Sequence, residues 1–319
     1  MIWNNLTQTI ICLFLTGPGI MGNILIFMRH VYTFVMATEK KPIDLIFTHL
    51  AFSNTLMICS IVIRDTATIF YFQNFLGDVG CKTVVYLVRV ARGLSICTTC
   101  LLSMFQAVTI NPRATLWEKL KPQTAGQVLF YLLLFWIFNS LISSNMLCYI
   151  TAGNKMNQSQ FDKYGEYCYM LPSRLIVRWS FLSLMALRDV VFQSLMGWSS
   201  GSMALHLYKH HKRVLYLHSY RCVNISSPEI RATRSTLILM TCFLFYYWAD
   251  FIFSFYTGSM VTHGSMETHG SMILNIKTFL VLGYAVLSPF ILITRDVHVT
   301  RSSNILKVLQ KLDSKPISP

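Results

Sequence analysis

Charge is what this 319-residue chain has least of. Asp, Glu, Lys and Arg together make up 13% of it, against about 25% in an ordinary soluble domain. So few charges cannot cover a soluble surface of this size, which excludes a soluble enzyme. Acidic side chains are scarcest, 13 against 27 Lys and Arg, giving a net charge of +14. Hydrophobic residues reach 54% and stand in long blocks, which excludes a disordered chain. The nine cysteines show no zinc-type cluster, and most fall inside apolar blocks as small buried residues. A small disulfide scaffold is therefore excluded as well. So apolar a composition leaves no basic soluble surface for nucleic acid. What remains is a multi-span membrane protein.

Seven stretches are long enough to cross a hydrocarbon core, which needs about 20 helical residues. They lie near 9–28, 44–63, 83–109, 126–150, 178–208, 234–257 and 272–294. The first has no charge and starts too near the N-terminus to leave room for a cleavable leader, so it reads as a signal-anchor. The connections 29–42, 110–125 and 209–234, with the tail, carry more than twice the Lys and Arg of the opposite set. That opposite set holds Arg64, Lys82, Lys155, Lys163, Arg174, Arg178 and Lys277. The positive-inside rule then places the N-terminus outside and the C-terminus inside. The expected fold is an all-α membrane protein: a seven-transmembrane helix bundle over 1–294 and a short cytoplasmic tail, 295–319. Seven helices with the N-terminus outside is the outline of a G-protein-coupled receptor. Of the glycosylation sequons, those at Asn157 and Asn5 fall outside and the one at Asn224 inside. Asn157, in the longest outer loop, is the better acceptor. The loop between spans six and seven repeats Gly-Ser-Met, and its His263 and His269 read as solvated rather than metal-binding. No metal or cofactor is expected.

Charges inside the spans ask for an explanation, since each costs about 2.5–3.5 kcal/mol at a helix centre. Arg89 and Arg92 are three apart on span three, Arg188 and Asp189 are adjacent on span five, and Asp250 is on span six. At about 1.5 Å per residue they all lie at a similar depth in the outer half. A closed network of Arg–Asp pairs would only fix helix packing. Three positive against two negative leaves one cation over, which suits an anionic or strongly polar group on a ligand. Tyr86, Tyr247, Trp248 and Tyr284, with Tyr246, would supply aromatic walls for a small-molecule pocket. Two other classes stay open on these residues. A secondary transporter also carries intramembrane charges, but it usually shows matched repeats and broken helices, and Gly17-Pro18-Gly19 has no counterpart here. A membrane redox enzyme could use Cys97 and Cys100, yet nothing nearby would lower their pKa, and close helix packing explains them better.

Span three carries a resemblance. Arg89-Val-Ala-Arg92-Gly-Leu-Ser-Ile-Cys97-Thr-Thr-Cys100-Leu-Leu-Ser103, then Phe105-Gln106-Ala107, resembles the third helix of vomeronasal type-1 receptors. So do Lys41-Pro-Ile-Asp-Leu-Ile46 running into His49-Leu-Ala-Phe-Ser-Asn54, Ser227-Pro-Glu-Ile-Arg-Ala-Thr233, and Tyr284-Ala-Val-Leu-Ser-Pro-Phe290. The chain departs from ordinary rhodopsin-like receptors at Asn54, where those keep Asp; at Gln106, where they keep the Arg of Asp-Arg-Tyr; and at Ser288 and Leu292, in place of the Asn and Tyr of Asn-Pro-x-x-Tyr. The resemblance implies a plasma-membrane receptor, not an enzyme. It would bind a small pheromone-like molecule in the outer half of the bundle and activate a heterotrimeric G protein of the inhibitory type. It also implies a disulfide between Cys81 and Cys168, two free thiols being the alternative. Gln106, Arg113, Lys212, Arg213, Arg231 and Arg234 face the inner side in that scheme, where they would meet the G protein or anionic lipid headgroups.

Overall fold

The computed structural model describes residues 2–37, 40–69, 77–110, 124–152, 162–163, 168–170, 175–217, 228–262 and 276–294. Seven long helices account for nearly all of them. They are α1 (Ile2–Met36), α2 (Pro42–Ile69), α3 (Gly77–Ile110), α4 (Ala125–Ser143), α5 (Leu175–Leu217), α6 (Pro228–Thr262) and α7 (Ile276–Thr294). After Ser144, α4 continues through one more turn, Asn145–Tyr149. Local chemistry sets several of the starts. Pro42 and Pro228 stand at the first helical position, where a missing N–H costs nothing. Thr124 and Gln127 form a reciprocal capping box at the head of α4.

α1, α2, α3, α4 with its extra turn, and α7 are long and apolar enough to cross a membrane. On α6 the apolar stretch is shorter, Leu237–Phe253, and the apolar run of α5 is broken in its first half by Arg188 and Asp189. Both run well past their expected spans. At 43 residues, α5 is about 65 Å long, roughly twice a hydrocarbon core. This corrects the expected connection over 209–234: Lys209 to Leu217 belong to α5, and Pro228 to Arg234 to α6. Lys, Arg and Leu are good helix formers, so a helix need not end where the apolar stretch does. Met36 likewise carries α1 beyond its expected end.

α3 is the centre of the bundle. From Gly93 to Ser103 every residue is buried. Its small polar side chains turn back on their own helix, Thr98 Oγ1 donating to Leu94 O at 2.7 Å and Thr99 Oγ1 to Ser95 O at 2.7 Å. No hydroxyl is then stranded in an apolar surround, and neighbouring helices come close. Cys97 and Cys100 belong to this stripe, both buried free thiols. α4, by contrast, exposes Leu129, Phe130, Leu133, Leu134, Ile137, Phe138 and Leu141. Such a face is at home against lipid, not water. The protein is a multi-pass membrane protein.

Between α4 and α5 lies a small antiparallel sheet that the sequence did not foreshadow. Its strands are β1 (Ile150–Ala152), β2 (Asp162–Lys163) and β3 (Cys168–Met170), ordered β1-β3-β2. Ile150 pairs with Met170 and Ala152 with Cys168. Strands of two or three residues are too short to show an alternating pattern. β1 lies beside α3.

Candidate functional site

The charged cluster hangs on α3, α5 and α6. Gly93 makes it possible. A Cβ there would run into Asn139 Oδ1 and the Arg188 guanidinium, so only glycine lets Arg188 cross α3 toward α4. Arg188 is 2% exposed. Its Nη1 donates to Asn139 Oδ1 at 2.8 Å, while Nε and Nη2 donate to Asp189 Oδ1 at 2.8 and 2.7 Å. That two-pronged contact compensates a charge that burial would otherwise make very costly.

Arg92 lies between two carboxylates. Its Nη1 is 2.6 Å from Asp250 Oδ2, and its Nη2 is 3.9 Å from Asp189 Oδ2. Its Cζ sits 5.2 Å from the centre of the Tyr247 ring, a cation–π contact. Arg89, one turn earlier, is turned elsewhere. Among the described residues its hydrogen-bond partner is Asn145 Oδ1, at 3.3 Å in the extra turn of α4. Three residues differ by about 60° around a helix, and that turn separates the partners of the two arginines. Arg89 is 9% exposed and has no carboxylate partner among the described residues. Among the described charges of this cluster it is the cation left without a carboxylate.

The remaining expected site residues divide. Tyr247 and Tyr284 are buried on the side of α6 and α7 that faces α3. Tyr284 Oη and Thr99 Oγ1 lie 3.2 Å apart, and its ring stands edge-on to Phe243. Tyr86 is half-buried. Tyr246 covers Gly283, where a Cβ would strike its ring. Trp248 is not brought to the charges: it is 44% exposed, and its ring packs against Phe251. Asn139 and Asn145 were missed. Each is a lone amide in a markedly apolar helical run, and that is the signal that could have found them.

Beyond the charges, neutral groups replace the usual polar core. Asn54 Oδ1 accepts from Ser95 Oγ at 2.8 Å, and Asn54 Nδ2 donates to Ser288 Oγ at 3.0 Å. An amide suits this position because one side must accept and the other donate. Asn23 Nδ2 bridges Gly19 O and Ala285 O, both at 2.9 Å, tying α1 to α7. Trp136 Nε1 donates to His49 Nε2 at 3.0 Å, so the proton of the neutral ring sits on Nδ1, which faces Thr98 Oγ1 at 2.9 Å.

Cys81 is buried in the early turns of α3 and disulfide-bonded. Cys168 opens β3. Gln106 lies near the far end of α3, Lys212 and Arg213 are on α5, and Arg231 and Arg234 on α6, with Lys212 and Arg234 exposed. Asn5 falls within α1 rather than before it. Arg113, Asn157, His263 and His269 lie outside the described residues.

A family model described as the vomeronasal organ pheromone receptor family matches residues 7–305. Vomeronasal type-1 receptor 90 of Rattus norvegicus is 34% identical over 283 residues, 89% of this chain and 89% of that protein. Vomeronasal type-1 receptor 4 of Homo sapiens is 32% identical over 286 residues, covering 90% and 93%. For vomeronasal type-1 receptor 2 of Homo sapiens the identity is 30% over 295 residues, covering 92% and 73%.

Proposed function

From the premise that the chain belongs to the vomeronasal type-1 family of pheromone receptors, and so is a receptor and not an enzyme, we propose how its geometry serves that role. The receptor sits in the plasma membrane with its N-terminus outside and its tail inside, as the basic asymmetry of the connections favours. A small molecule arriving from outside enters the outer half of the bundle, where Arg89, Arg92, Arg188, Asp189 and Asp250 gather. Tyr86, Tyr247 and Tyr284 form aromatic walls. Trp248, with its exposed ring, serves at most from the rim. The ligand acts by binding the active packing more tightly than the resting one. The inner end, with Gln106, Arg113, Lys212, Arg213, Arg231 and Arg234, meets a heterotrimeric G protein of the inhibitory type. Cys168 is the disulfide partner of Cys81, pinning β3 over the mouth of α3, and Asn157 carries glycan in preference to Asn5.

One observation carries the ligand reading. Arg92 and Arg188 have carboxylates, while Arg89 has a neutral amide. A buried guanidinium with one neutral partner is best compensated by an anion, and an acidic group on the ligand supplies it. The test is a screen of small acidic molecules beside their neutral esters, read by nucleotide exchange on an inhibitory-type G protein. An acid that activates while its ester does not is the expected result. Activation by neutral or cationic molecules alone would remove the acidic-ligand reading.

A further inference from the structure

The two carboxylates around Arg92 are held very differently. Asp189 is engaged through Oδ1 by both Nε and Nη2 of Arg188, which leaves its Oδ2 turned to Arg92 at 3.9 Å. Asp250 is 2% exposed. Arg92 Nη1 stands 2.6 Å from its Oδ2, yet neither carboxylate oxygen is aligned to accept a hydrogen bond. Charge, more than hydrogen-bond alignment, holds this pair. It also holds the helices: α3 meets α6 over a much shorter stretch than it meets α2 or α5. The Tyr247 ring, on the preceding turn of α6, rests on the same guanidinium at 5.2 Å.

We propose that Arg92 is a two-position tether, holding α6 through Asp250 in the resting packing and passing to Asp189 of α5 when a hydroxyl or other hydrogen-bond donor on the ligand takes Asp250. The chemistry makes both positions accessible. A guanidinium presents several donors in one plane, and its second carboxylate is already within ion-pair reach on α5. Asp250, buried and without an aligned donor, gains from a ligand group that points a hydrogen at it. Once that exchange occurs, the ion pair joining α3 to α6 is gone, only the Tyr247 ring and a short packed stretch remain, and α6 is freer to move. Asp250 and Arg92 are thus positioning residues for the signal, in a chain whose Gln106 cannot form the usual arginine lock. The tether rests on the reading that the ligand enters the outer half of the bundle, and not on its acidity or on the G protein proposed above.

The test therefore uses neither. The full-length receptor is placed in nanodiscs with spin labels at Thr109, exposed near the end of α3, and Ile238, exposed on α6. Keto amino acids carry the labels, leaving the nine cysteines untouched. Pulsed distance measurements compare the unsubstituted receptor with Asp250→Asn and with Arg92→Gln/Asp250→Asn. The single variant leaves Arg92 its second carboxylate, and the double removes both charges, so neither strands a buried ion of the pair. The expected result is a population with α6 further from α3, raised about tenfold over the unsubstituted receptor, the scale of an ordinary coupling between sites. Folded variants with an unchanged distance distribution, whatever their thermal stability, would overturn the tether. So would failure of both to fold, since the charges would then support the fold and not a switch.

Discussion

Gly93 shows how much a single missing Cβ decides here. Its place on α3 is filled by Asn139 and the Arg188 guanidinium from two other helices. Gly93→Ala is expected to lower thermal stability by about 1–3 kcal/mol through overpacking, and more if Arg188 loses its partners. Gly197 is the control. A Cβ there meets nothing within 4 Å, so Gly197→Ala is expected to be neutral or to gain about 0.5–1 kcal/mol from helix propensity. Melting of both variants in the same detergent checks the pair, and equal losses would count against this reading of Gly93. The sequence showed the five charges because charge inside an apolar run is conspicuous. It could not show Gly93, since a glycine gives no sign of what passes over it. Nor could it say which of Arg89 and Arg92 is paired, because that depends on how α4, α5 and α6 are rotated against α3.

Among the elements, the helices were largely legible and their ends were not. Apolar stretches pointed to all seven helices, and five of these are long and apolar enough to cross a bilayer. Past the bilayer the demand for apolar side chains lapses, and α5 continues to Leu217 on ordinary helix propensity. The head of α4 is set by side chains instead, Thr124 Oγ1 accepting from Gln127 N at 3.3 Å. Thr124→Ala is expected to cost about 1 kcal/mol, seen as a lower melting temperature with signalling intact. At the opposite end of the bundle the link is covalent. Cys81→Ala is expected to cost about 2–5 kcal/mol or block surface expression. Cys168→Ala should match it and the double variant be little worse, because the proposed pairing makes it one bond that is lost in every case. A freely alkylated Cys168 in folded, unreduced receptor would show that Cys81 has another partner. The sheet that carries Cys168 was invisible in the sequence, its strands being held by their register and not by an apolar pattern.

At the scale of the whole molecule, the described helices present apolar side chains outward and hold a small charged cluster within a largely apolar interior. The exposed face of α4 belongs to lipid, and in the proposed orientation the basic connections share the inner side. A tag at the N-terminus should therefore label on intact cells, and one at Pro319 only after permeabilisation; the reverse pattern would invert the proposed orientation. Within the bundle, the central claim is that its surplus cation is Arg89 and that this cation meets the ligand. The direct measurement compares Arg89→Gln with Arg92→Gln for surface level and for the dose response to an acidic agonist. Arg92→Gln leaves Asp250, 2% exposed, without its cation, a loss of about 3–5 kcal/mol, and should fail to reach the surface. Arg89→Gln strands no carboxylate, so it should reach the surface at the unsubstituted level with agonist potency reduced at least about tenfold, the equivalent of about 1.4 kcal/mol. If Arg89→Gln instead signals with unchanged potency, the surplus charge is structural and the ligand binds elsewhere.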